Sequence, residues 1–199
     1  MISPPKGEYF GRLRLLWATG GFANSECAVI DHRTKEIYVG NMASDSSTDA
    51  THRGYISRLS MDGRVLQQRW IEKLNVPCGI SVRGTRLYVV DADRLRVFDA
   101  TTARQMEEYL APGAIFLDGM AVDESGENVF VSDIAGCAIW RLHGNAWEKW
   151  LEDPRLDFPD GMVAESDRLV VGTYGLWEGV YVWKPGTTED HLGHLVAVD

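Results

Sequence analysis

The segment Phe116 to Leu142, FLDGMAVDESGENVFVSDIAGCAIWRL, recurs in weaker form on both sides of itself, which limits the available folds more than any other feature of the chain. Upstream stands VPCGISVRGTRLYVVDADRLRVFD (Val76 to Asp99); downstream, between Phe158 and Lys184, stand FPDGMVAESDRLVVGTYG and GVYVWK. Gly79, Gly119 and Gly161 mark the phase, 40 and 42 residues apart. Within the unit, Asp118-Gly119 reads as a tight turn, Met120 to Val122 as a short apolar strand and Asp123 to Asn128 as a polar turn. A second strand, Val129 to Asp133, and a third, Ala138 to Leu142, flank the small-residue turn Ile134 to Cys137. Apolar runs this short, separated by turn residues, build an antiparallel meander.

A first copy starts near Glu26 with ECAVID, continues through EIYVG (Glu36 to Gly40) and ends in GYISRL (Gly54 to Leu59). Its insert, Asn41 to Arg53, is rich in Ser, Thr and Asp and reads as a loop. Val65 to Leu74, Gln105 to Leu110 and Ala146 to Leu151 supply a fourth, outer strand to successive copies. Ala103 to Leu110 has helix-forming residues, but its phase in the repeat makes it a strand. A period near 40 with four strands per unit predicts an all-β chain, a β-propeller with one blade per repeat. The blades fall at 24–74, 75–112, 113–153 and 154–190, with the start of a fifth at 191–199, in one partial domain spanning 1–199. An open arc leaves two uncovered edges, so the chain is expected to be a fragment, or to self-associate or bind a partner there. Leu13 to Ala18 is a further candidate strand.

At 199 residues and 45% hydrophobic, the chain can bury a sizeable core. A net charge of −9, with Lys and Arg scattered, argues against nucleic-acid binding, and no GxxxxGK phosphate loop occurs. No apolar run reaches the ~20 residues of a membrane helix. Met1 to Phe10 lacks the apolar stretch of a signal peptide, which predicts a cytoplasmic protein, or a periplasmic or secreted one if a leader is missing. Cys27, Cys78 and Cys137 form no CxxC pair and read as small buried hydrophobes, with a Cys27–Cys78 disulfide left open by their similar phase. His32, His52, His143, His191 and His194 show no ligand spacing and read as surface or loop residues. The seven tryptophans read as packing between blades, with Trp177, in the Tyr174 to Glu178 loop, as the exception.

In a propeller the first strand of each blade lines the central channel, so the starts of successive copies converge. Glu26, Cys78, Asp118 and Asp160 occupy those positions. Three carboxylates aimed at one channel repel unless a cation or proton compensates them. Hard oxygen donors of this kind suit Ca²⁺, Mg²⁺ or Mn²⁺. Alternatively, Asp118 and Asp160 cap their own Asp-Gly turns. Glu26 favours the ligand reading, because it precedes Cys27 and no turn explains it.

The run Glu26-Cys27-Ala28-Val29 and the turns around Asp118-Gly119-Met120 and Pro159-Asp160-Gly161-Met162 resemble the gluconolactonase, regucalcin and luciferin-regenerating-enzyme-like family of six-bladed propellers. The similarity runs from about Trp17 to Asp190. It implies a divalent cation, Ca²⁺ first with Mg²⁺, Mn²⁺ or Zn²⁺ as alternatives, held by Glu26, Asp118 and Asp160. It also implies metal-assisted hydrolysis of a lactone or similar ester, with Asp160 as the base. Cys78 takes a substrate-facing place that is commonly polar in the family, and Asp118 stands where Asn is usual. Tyr174 and Trp177 would help to shape the pocket for a lactone or sugar-acid substrate. A different class competes: a noncatalytic NHL-type propeller serving as a binding scaffold, whose repeat the LYVVD and GISV strings (Leu87 to Asp91, Gly79 to Val82) also fit.

Overall fold

The middle strands of the repeats, LYVVD and VFVSD, are apolar at nearly every position, and a strand of that kind must be covered on both faces. A computed structural model describes residues 16–43, 53–165, 168–173 and the backbone of 195–198, and shows how the covering is achieved. The described residues form four antiparallel sheets in chain order, the blades of an incomplete β-propeller. The first contains β1 (Ser25–Asp31), β2 (Glu36–Asn41), β3 (Gly54–Ser60) and β4 (Val65–Leu74). The second contains β5 (Pro77–Arg83), β6 (Arg86–Asp91), β7 (Arg94–Asp99) and β8 (Gln105–Leu110). The third contains β9 (Leu117–Val122), β10 (Asn128–Asp133), β11 (Ala138–His143) and β12 (Ala146–Glu152). The fourth contains β13 (Pro159–Ala164), β14 (Leu169–Thr173) and β15 (Leu195–Val198). Each strand pairs with its neighbour in sequence, so every sheet is a meander.

Period-two alternation distributes each middle strand between two cores. Leu87 and Val89 of β6 pack toward the first blade with Tyr38, Ile56, Trp70 and Phe98. Tyr88 and Val90, one residue out of phase, pack toward the third blade with Leu117, Val129, Val131 and Trp140. Phe130 of β10 turns the other way and joins Ile139, Leu169 and Val171 against the fourth blade. Burying one such side chain contributes roughly 1.5–3 kcal/mol, so the blades hold one another in place. Trp70, Trp140, Trp147 and Trp150 reinforce these layers, with Trp70 stacked on Tyr38 at 4.9 Å and Trp140 on Trp147 at 5.5 Å, whereas Trp17 is exposed and joins none of them.

Several expectations change. Asp118-Gly119 and Asp160-Gly161 are not turns; they lie inside β9 and β13. The strand expected to open a fifth blade, β15, hydrogen-bonds to β14 as the third strand of the fourth sheet. The described part of the Leu13 to Ala18 candidate is not a strand: the indole of Trp17 donates to Met61 O at 2.9 Å, and Thr19 to Gly63 O at 2.5 Å. Ala103 to Leu110 contains β8 and no helix. All three cysteines are free thiols. Tyr174, Trp177, the Gly179 to Lys184 strand and most of the Asn41 to Arg53 insert lie outside the described residues.

Candidate functional site

Each inner strand makes the same irregularity at the same place. In β1 the register shifts between Ser25 and Cys27, leaving Glu26 as the extra residue. In β5 it shifts between Pro77 and Gly79, around Cys78. In β9 the pairing passes from Leu117–Asp133 to Met120–Val131, so Asp118 and Gly119 face one residue. In β13 it passes from Pro159–Thr173 to Met162–Val171, around Asp160 and Gly161. A β-bulge bends its strand and re-aims a side chain. Four bulges in phase therefore present Glu26, Cys78, Asp118 and Asp160 from four adjacent inner strands.

The glycines that follow make this spacing possible. A Cβ on Gly79 would collide with the carbonyl oxygen of Asp118, and one on Gly119 with that of Asp160. Neighbouring inner strands thus touch, backbone on backbone, at the level of the acidic residues. Only a residue without a side chain permits that approach.

Electrostatics tie the carboxylates together. Burial raises the Asp118 carboxyl to about 6, assisted by the charges of Asp160 and Glu26 and opposed by a hydrogen bond from Cys78. Asp160 is also raised, by burial. Cys27 lies in the same group: burial pushes its thiol up to about 12, and Glu26 and Asp118 add to the shift. The Cys78 thiol lies 3.2 Å from Leu117 O and is held well above its usual range by burial and by Asp118. Both thiols are therefore protonated near neutrality and act as donors, not as nucleophiles.

Glu26, Cys78, Asp118 and Asp160 thus belong to one electrostatic group. As they stand, no three His, Cys, Asp or Glu side chains among the described residues converge tightly enough to hold a metal ion. The donor chemistry nevertheless fits a hard cation: the charges that act on Asp118 are two further carboxylates, each from a different blade.

The supports behind these residues were missed in the sequence. Asp91, the last residue of β6, accepts from Asn75 N at 2.6 Å and Val76 N at 2.8 Å. Asp133, the last residue of β10, accepts from Phe116 N at 2.8 Å and Ile115 N at 3.0 Å. Both carboxylates are fully buried, and each holds the segment that leads into the following bulge. The aspartate closing both LYVVD and VFVSD was the available signal.

No known family profile matches the chain, and no curated protein matches it. Solved structures match at the level of fold. The gluconolactonase XC5397 of Xanthomonas campestris is 15% identical, with a TM-score of 0.58 over 76% of this chain and 55% of its own. A calcium-binding protein, regucalcin, from Agrobacterium tumefaciens is 19% identical, with a TM-score of 0.55 over 76% of this chain and 54% of its own. Hydrazine synthase of Kuenenia stuttgartiensis is 13% identical, with a TM-score of 0.63 over 83% of this chain and 46% of its own. The chain spans about half the length of these proteins. Identities this low, shared with proteins of unrelated chemistry, establish the fold alone.

Proposed function

We propose that the channel end of the blades binds one divalent cation, Ca²⁺ in the first instance, through Glu26, Asp118 and Asp160, and that the chain hydrolyses a lactone or similar ester there. The observation that carries this reading is the set of in-phase bulges presenting carboxylates from β1, β9 and β13, with Asp118 raised to about 6 beside Asp160 and Glu26. A like-charge cluster of this kind is relieved by a cation. The gluconolactonase and regucalcin likenesses support the reading at the level of fold.

When bound, the cation would polarise a substrate carbonyl and make a bound water more acidic. Asp160 is the base: its half-buried carboxyl, raised by burial, is suited to taking a proton from water. Cys78 lines the substrate-facing side of the site in this proposal as a buried, protonated thiol whose single proton is engaged by Asp118, so the substrate lacks the polar partner common at that place. Tyr174 and Trp177 complete the substrate-facing set in this proposal. Asp160→Ala should abolish turnover of aldonolactones by the purified chain; turnover at the wild-type rate would remove Asp160 from the chemistry.

A noncatalytic scaffold of the NHL type is the second reading. The absence of a ready-made metal cage among the described residues favours it. Millimolar Ca²⁺ or Mn²⁺ raises the melting temperature if the native state binds it and leaves it unchanged in a pure scaffold.

A further inference from the structure

We infer that Asp133 is the positioning residue for Asp118, so that a carboxylate outside the channel decides whether the third blade delivers its ligand. The inference rests on the cation-binding reading above and adds to it a residue that touches neither cation nor substrate.

Asp133 is 0% exposed, and its carboxylate is satisfied by backbone. Oδ1 accepts from Phe116 N at 2.8 Å, Ile115 N at 3.1 Å and Gly136 N at 3.1 Å, while Oδ2 accepts from Ile115 N at 3.0 Å. The strand end is clamped from the other direction as well, since Ile134 N donates to Phe116 O at 2.8 Å. Position 136 must be glycine for this to work, because a Cβ there would collide with the Asp133 carboxylate.

These bonds set where regular pairing starts. Leu117 pairs with Asp133, and the bulge that presents Asp118 begins at the next residue. A slip of one position would send Asp118 to the opposite face and put a residue without a carboxylate in its place. Asp133 is therefore a register lock whose output is the direction of the Asp118 side chain.

The molecule contains its own control. Asp91 makes the equivalent bonds to Asn75 and Val76, adds an ion pair with Arg96 Nε at 2.9 Å, and leads into the bulge at Cys78, which is not among the three cation ligands. In the fourth blade Thr173 occupies the phase, opposite Pro159, so the fold accepts Thr there.

The test is calorimetric titration of Mn²⁺ into the wild-type chain and the variants D133T, D133N and D91N, with melting temperatures measured in parallel. The expected result is an affinity loss of about tenfold or more in D133T, the range found when groups that orient metal ligands are removed. D133N keeps Oδ1 as the acceptor for Phe116 N and should lose less. D91N, which also weakens the ion pair with Arg96, should lower the melting temperature at least as much while retaining wild-type affinity. If the Asp133 variants lose only thermal stability, as D91N does, and bind Mn²⁺ like the wild type, the positioning role is overturned. Failure of the wild-type chain itself to bind Mn²⁺ overturns the cation reading and the inference together, and is distinguished because every protein in the series then fails.

Discussion

The third and fourth blades present an aspartate from the same bulge at the same phase, yet they support it differently. In the third, the lead-in to Asp118 is held by the Asp133 carboxylate, and Gly119 is covered by the Asp160 carbonyl of the next blade. In the fourth, Thr173 replaces the carboxylate and, among the described residues, its hydroxyl has no partner and a Cβ on Gly161 would meet nothing within 4 Å. The lead-in to Asp160 runs through Asp157 and Phe158, both left-handed at φ 39° and 62°. Backbone strain of that kind costs about 1–3 kcal/mol per residue and persists only where the surroundings impose it. The two blades therefore reach the same presentation through different supports: a hydrogen-bonded clamp and a packed neighbour in the third, a strained left-handed lead-in in the fourth.

The two glycines give the largest predicted contrast. Gly119→Ala drives a methyl group into the Asp160 backbone and should cost about 1–3 kcal/mol or more, as overpacking does. Gly161→Ala should lie within about 0.5 kcal/mol of wild type, as substitutions away from such contacts do. Denaturant midpoints measure both, and equal losses would mean that the blades do not approach as described.

Proton linkage gives an intermediate effect. Asp118 is raised to about 6, so the folded chain keeps a proton that the unfolded chain releases near pH 4. The stability linked to this proton is complete below pH 4 and lost as pH rises to about 6. Asp118→Asn escapes that loss. Without added metal, its melting temperature should exceed that of the wild type by a few degrees at pH 7, and the gap should close toward pH 4. A gap independent of pH would contradict the assignment.

Thr173→Val should produce the smallest change. It removes a buried hydroxyl that makes no hydrogen bond among the described residues, so stability should stay constant or rise by up to about 1 kcal/mol. A loss of 2 kcal/mol or more would reveal a partner for the hydroxyl.

The blades were legible because strand length, alternation and phase are local properties, and β8 could be recognised against its helix-forming composition from phase alone. Asp118-Gly119 was misread because the dipeptide that favours a turn also favours a bulge, and the Asp160 carbonyl that packs on Gly119 comes from another blade, far away in sequence. β15 was misread for a related reason: an apolar strand at the end of the chain fits an inner or a third position equally well, and pairing with β14 decides between them. Asp133, and Asp91 apart from its ion pair with Arg96, remained hidden because their partners are backbone N–H groups, which carry no sequence signature. Cys27 was read as a small hydrophobe, and it is one, but its neighbours Glu26 and Asp118 place it beside the acidic group.

Carboxylates from separate blades feel one another's charge at the head of the inner strands. Carbon-13 NMR titration of the Asp118 carboxyl, in the wild type and in Asp160→Asn without metal, tests this coupling directly. The midpoint should lie near 6 in the wild type and fall once Asp160 is neutral. A midpoint in the ordinary carboxylate range, or one that does not respond to Asp160→Asn, would contradict it.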